Sequence, residues 1–372
     1  MSLDDSSDDS SPEPVAERVA AAVARQRAYV LLAALLVEGI DAERLAVVRA
    51  LPVLAERLPE PDVEPDLEPD VETVELEALA AEHYALFGHE LFPFEGVFTS
   101  EQGLVGAGAA PGVLRAAHAA LGLRPDEDPS LDHLGQGLRL LATLVDAELE
   151  ARAHGDAVDA RTLVRWQRRV LDEALLPWMA PLLVALPGQP ASLWTGVIEL
   201  AAGVLARHRA ELPGLPQVTG AASFGVGSGA AAATGAVEAV LDDPRTGLRT
   251  VAELLATPAR SGVFLARRDL ETVARRCELP HGFGARRDVL ERLLRVAAEY
   301  RELPRVLDEL LRVLDARDEA YAGLEREPGL SPHVPAWRRR VMGTRRMLER
   351  LREAALQVDD RASRPRAGVY GA

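Results

Sequence analysis

The stretch Leu131-Asp-His-Leu-Gly-Gln-Gly-Leu-Arg-Leu-Leu-Ala-Thr-Leu-Val145 decides the fold class. Leu131, Leu134, Leu138, Leu141 and Val145 recur three and four residues apart, which draws one apolar stripe along a helix. The same rhythm returns near the other end of the chain in Leu303, Leu307, Leu310 and Leu314, with Arg and Glu opposite. Between and around these stripes the sequence is rich in Ala, Leu, Val, Arg and Glu, and only 4% of it is aromatic. Helix formers dominate and β-branched clusters are few, which argues against sandwiches and barrels. The fold class is all-α: a multi-helix bundle followed by a second, smaller helical unit.

Working outward, the chain of 372 residues divides by composition. Residues 1–14 are Asp, Ser and Pro and read as a disordered acidic tail. Helical patterns occupy about 15–37, a segment that Asp41 can cap, 74–87, 111–121, the stripe above, 160–176 and 191–209. An acidic, Pro-rich loop at 59–72 interrupts them. There Glu60-Pro-Asp-Val, Glu64-Pro-Asp-Leu and Glu68-Pro-Asp-Val place a proline at every fourth residue, which forbids a helix. The first unit thus spans 15–213. Residues 214–246 are Gly/Ala-rich and read as a linker, since the alternating Gly225, Gly227 and Gly229 lack the strand and lysine of a phosphate loop. Helical patterns at 247–256, 267–278, 285–301, 303–322 and 335–356 form an Arg-rich second unit over 247–357, followed by a disordered tail at 358–372.

Charge is uneven. Residues 1–216 carry 36 acidic and 16 basic side chains, residues 217–372 carry 22 and 26, and the whole chain is at −16. An acidic first half disfavours nucleic acid as a partner and suits a cationic peptide. The single cysteine, Cys277, excludes an internal disulfide and falls in a helical run where a buried structural role is expected. Met1-Ser-Leu-Asp-Asp is acidic where an export signal is basic. The most apolar stretch, 175–194, is divided by Pro177, Pro181, Pro187 and Pro190, so no membrane span is expected and the protein is read as cytoplasmic.

No recognised metal spacing, nucleophile motif or cofactor loop occurs, so no catalytic residues, no metal and no cofactor are expected. Two clusters remain. One is Tyr84-Ala-Leu-Phe-Gly-His-Glu-Leu-Phe-Pro-Phe-Glu-Gly-Val-Phe98, which holds four of the seven phenylalanines. The other is Asp128-Pro-Ser-Leu-Asp-His-Leu-Gly135. Asp132 there can satisfy the free N–H groups of the helix start while His133 packs or faces water. An acid–base site of Glu95, Asp132 and His133 is the enzymatic alternative, and it lacks a nucleophile, a metal set and a cofactor loop.

In order and spacing, Tyr84-x-x-Leu-Phe87, Pro93-Phe-Glu-Gly-Val-Phe98, Leu131-Asp-His-Leu-Gly135 and Leu175-Leu-Pro-Trp178 resemble the TorD/DmsD/NarJ family, cytoplasmic chaperones for maturing molybdoenzymes. The resemblance covers about residues 15–210. It departs from the family pattern at Gly96, usually Ser, and at Phe98, often Tyr; residues 217–372 lie outside it. It implies a non-enzymatic chaperone that binds an apo-molybdoenzyme catalytic subunit or its N-terminal leader peptide, in many cases bearing twin arginines. Cofactor insertion, assembly and export proofreading would be assisted, and a homodimer is compatible with it. Carried over by position, the peptide-binding residues are Tyr84, Phe87, Pro93, Glu95, Phe98, Asp132 and His133, with Trp178 assigned to the core. Aromatics would line a wall, carboxylates would meet guanidinium groups, and His133 protonation would weaken cation binding. The other reading is a helical adaptor that serves a different client through its C-terminal unit.

Overall fold

The computed structural model describes residues 15–59, 71–125, 130–214, 237, 239–280 and 282–363. The tail at 1–14 and most of the Pro-rich loop and of the linker lie outside the described residues, as does the chain beyond 363. The described residues form helices joined by turns and loops, and their β pairing is a single isolated bridge between Phe94 and His133.

The first unit runs α1 (Val15–Glu38), α2 (Ala42–Arg49), α3 (Pro52–Ala55), α4 (Val71–Ala85), α5 (Glu95–Thr99), α6 (Ala110–Ala120), α7 (Leu134–Ala153), α8 (Ala157–Arg169), α9 (Leu176–Ala185) and α10 (Leu193–Glu211). Asp41 caps α2 by accepting from Arg44 N, and Pro111 opens α6, as their positions predict. The stripe Leu131, Leu134, Leu138, Leu141 and Val145 is buried, and α7 packs along α1 and α8. Helices α4 and α8 each continue into a π-helical turn, Leu86–Glu90 and Val170–Leu175. The second unit comprises α11 (Leu248–Leu255), α12 (Pro258–Ser261), α13 (Arg267–Arg276), α14 (Arg286–Glu299), α15 (Leu303–Leu324) and α16 (Val334–Ser363). Its last helix extends into residues assigned by composition to a disordered tail, and a 3-10 turn, Val240–Asp242, lies inside the segment read as linker. Cys277 is buried, as expected of a structural thiol.

Helix α9 explains how the two units relate. Its proline density reads as a break, yet Leu176–Ala185 is a helix buried along nearly its whole length. Pro181 has no N–H for the carbonyl of Pro177, one turn earlier, and a buried carbonyl without a donor is costly. Trp337 of α16 supplies the missing donor, with its indole Nε1–H 2.8 Å from the Pro177 oxygen. Near the other end of α9, the Val184 carbonyl accepts from Arg317 of α15 at 2.6 Å. Arg317 also makes a two-pronged ion pair with Asp269 of α13, both contacts at 3.0 Å and both side chains at least nine-tenths buried. One apolar core runs through both units, joining Trp178, Phe98 and Leu205 of the first to Phe264, Leu307 and Trp337 of the second. The C-terminal unit is therefore part of the body of the molecule, not an appendage on a linker.

Two helical stretches are long and apolar enough to cross a membrane by length and composition, Ala16–Glu38 and Ala157–Gly188. The second is 83% buried among other helices, the environment of a core segment. The first is 28% buried; its second half packs through Tyr29, Leu32, Leu35 and Leu36.

Candidate functional site

The two sequence clusters meet at the Phe94–His133 bridge, where Glu95 N donates to Asp132 O at 2.9 Å and Leu134 N to Pro93 O at 2.9 Å. Within this junction the polar side chains hold backbone. Glu95, 3% exposed, accepts from Thr99 Oγ1 and from Ala109 N and Ala110 N at 3.2 and 3.3 Å, so it caps the start of α6. Burial pushes its carboxyl pKa up, against the pull of the Thr99 hydroxyl and of those N–H groups. Asp132, 2% exposed, accepts from Gly96 N at 3.1 Å and Gly106 N at 2.6 Å, tying α5 to the loop that follows it.

The cap of α7 is His133 rather than Asp132, its Nδ1 accepting from Gly135 N at 3.1 Å. The His133 ring stands edge-on to Phe94, with centroids 4.7 Å apart. Burial lowers its pKa to about 4, outweighing the Asp132 carboxylate, so the imidazole is neutral at physiological pH. A protonation switch at His133 in the ordinary histidine range is thereby removed.

The aromatic wall is mostly interior. Phe87 packs edge-on to His83 and Trp194, Pro93 is buried, and Phe98 lies fully buried between Trp178 (5.7 Å) and Phe264 (5.3 Å). Trp178 is core, as expected. Of the seven residues carried over, only Tyr84 is open to solvent, at 65% exposure, with its ring edge-on to His89. Pro93, Glu95, Asp132 and His133 meet in a closed junction, while Phe87 and Phe98 pack into the core against Trp194 and Trp178. Glu95 and Asp132 Oδ2 hold backbone N–H groups, Asp132 Oδ1 is buried without a hydrogen-bond partner among the described residues, and no guanidinium pairs with either carboxylate there.

The two departures from the family pattern now have physical reasons. A Cβ on Gly96 would run into the Leu104 carbonyl oxygen, so serine does not fit there. Phe98 presses on Phe264 of the second unit, where a tyrosine hydroxyl would be buried among rings at a cost of about 1–3 kcal/mol if unpaired.

The open feature lies beside this junction. A cleft of about 680 Å3 separates the two units. Gly88, His89, Phe92 and residues 101–104 form one wall; Glu253, Thr257, Arg260, Arg267 and residues 284–287 form the other. The buried junction sets the first wall, because Asp132 and Glu95 fix both ends of the loop from Ser100 to Ala109. The arginines of the second wall escaped sequence reasoning. A signal existed in the doublets Arg267-Arg268 and Arg286-Arg287, each opening a helix. Cations at a helix N-terminus oppose the macrodipole, so such doublets invite an explanation. Among the described residues no group of three or more His, Cys, Asp and Glu could hold a metal ion.

The model of the family described as nitrate reductase delta subunit matches residues 42–183. The match, over less than half of the chain, is to a family of the NarJ/TorD chaperone type. The family consists of maturation chaperones for molybdoenzymes and is not catalytic. The NarJ/TorD-type match runs from α2 through α9 and thus ends on the helix whose carbonyls the second unit completes. No curated protein and no solved structure matches the chain.

Proposed function

We propose that this protein is a cytoplasmic holding chaperone that grips an apo-molybdoenzyme catalytic subunit, through its N-terminal leader or another unfolded stretch, until cofactor insertion and assembly are complete. The match of residues 42–183 to the nitrate reductase delta subunit family carries this reading. The cleft supports it, since its volume suits a few residues of an extended chain and the junction beneath it is rigidly tied. In this proposal Tyr84 touches the client. Phe87, Pro93, Glu95, Phe98, Asp132 and His133 act from below, holding the loop that shapes the cleft. Proofreading of export would follow from occupying the leader while the client is unfinished.

A second reading has one observation in its favour: half of the cleft comes from the C-terminal unit, as a helical adaptor with a different client would require. Removing residues 217–372 does not separate the two readings, because Trp337 and Arg317 complete α9. The identity of the client does. Affinity capture with the full chain from cells deprived of molybdate is expected to recover an apo-molybdoenzyme catalytic subunit, and to recover less of it once molybdate is restored. Recovery of an unrelated client, or equal recovery of the finished enzyme, contradicts the chaperone reading.

A further inference from the structure

The cleft between the units has a charge and a texture that select among client segments, and the argument rests on the chaperone reading above only in calling the occupant a client. Arg260, Arg267, Arg286 and Arg287 line the cleft, against Glu101 and Glu253. Glu253 is already shared between Arg249 at 3.3 Å and Arg287 at 3.6 Å. Arg260 is exposed and has no hydrogen-bond or ion-pair partner among the described residues. Arg267 donates to the Gly284 carbonyl, which fixes the turn before α14 without neutralising its charge.

Arg286 is the telling member. Its guanidinium donates to the Leu265 carbonyl at 3.1 Å and lies 3.9 Å above the Phe264 ring, with no carboxylate within ion-pair distance among the described residues. Burial lowers its pKa to about 10 even though Glu90 and Asp269 pull the other way, so this cation is under-compensated. Helix α14 begins at Arg286 without a side-chain cap, and residues 284–287 all face the cleft, so its free N–H groups add to the positive field. Asp288 is the acidic side chain of that first turn, set against two arginines and the positive end of the helix dipole. Beside the polar His89, Gln102 and Thr257, the cleft offers two large apolar side chains, Phe92, half-buried in one wall, and Leu104, 59% exposed.

We infer that the cleft binds an acidic, apolar stretch of client polypeptide, with carboxylates meeting Arg260, Arg286 and Arg287 while a large apolar side chain rests on Phe92 and Leu104. Arginine favours carboxylates through paired, charge-assisted hydrogen bonds, and the apolar wall gives a peptide an advantage over a small anion. A leader carrying twin arginines would meet like charge here.

The test uses the full chain and three fluorescently labelled synthetic peptides read by anisotropy. One alternates Asp or Glu with Leu and Phe, one has every acid replaced by Arg, and one has every Leu and Phe replaced by Ser. The acidic apolar peptide is expected to bind and the other two to bind at least about tenfold more weakly. Arg260→Glu lies at an exposed, unpaired position, so it should fold normally and weaken the first peptide by about tenfold. Leu104→Ser on the opposite wall offers an independent loss of the apolar contact. The inference is overturned if the arginine peptide binds as well as the acidic one, or if Arg260→Glu and Leu104→Ser leave acidic-peptide binding unchanged. It is also overturned if inorganic phosphate displaces the peptide and the Ser-containing peptide binds equally, which marks a small-anion site. Capture of an apo-molybdoenzyme subunit that is insensitive to both substitutions sinks this inference and leaves the chaperone reading standing. Peptide selectivity without any such capture does the reverse.

Discussion

Replacing Arg317 by Met removes the polar bolt between the units while keeping most of the length and apolar stem of the side chain. Three interactions go: the 2.6 Å bond to the Val184 carbonyl at the end of α9 and the two 3.0 Å contacts with Asp269. Asp269 keeps one acceptor bond, from Ala266 N at 2.9 Å, and is left as a largely buried anion without its cation. Breaking a buried ion pair from one side costs about 3–5 kcal/mol. Set against a typical total of about 5–15 kcal/mol, that is a large share of the stability. Urea titration followed by circular dichroism and by tryptophan fluorescence reads the loss, and the two probes should shift together because one core serves both units. Adding Asp269→Asn to Arg317→Met should recover part of the loss, since the stranded charge is then gone. A loss below about 1 kcal/mol, the level of an exposed ion pair, refutes the reasoning, as does a shift seen by one probe only.

Trp337→Phe keeps most of the ring and deletes the donor to Pro177, so about 1–3 kcal/mol of stability should be lost by the same titration. Gly96→Ser installs the residue usual in the family, yet it should destabilise this chain by about 1–3 kcal/mol, because its Cβ meets the Leu104 carbonyl. Acidification should also destabilise the fold: His133 and His333 are buried with pKa values lowered to about 4, so between the ordinary histidine value of about 6.5 and 4 the unfolded chain binds more protons. Each histidine then removes on the order of 3 kcal/mol by pH 4. Glu95, whose pKa is raised by burial, has the opposite sign and offsets a part of this. Melting temperatures across this window should fall with pH, and His333→Gln should flatten the fall.

The helices were legible because burial follows a 3.6-residue rhythm. The stripes Leu131–Val145 and Leu303–Leu314 are both interior, and every helical pattern expected in the second unit corresponds to a helix there. Helix α9 was not legible, because Pro177 and Pro181 argue for a break and the donor that repairs the break lies 160 residues away, on Trp337. The clustering of Glu95 with Asp132 and His133 could be read from a family pattern, but their closure could not, since capping of α6 and α7 depends on loops folding over them. The arginines of the cleft were visible as helix-opening doublets, yet nothing local says that they face Phe92 and Leu104. Long-range placement, not residue chemistry, was the missing information.

Hydrogen–deuterium exchange on the full chain, free and with bound client polypeptide, tests most directly whether the two units grip a client together. Amides around 88–104 and those around 253–287 should gain protection in concert on binding. Protection confined to one of these walls, or falling elsewhere on the molecule, contradicts the account.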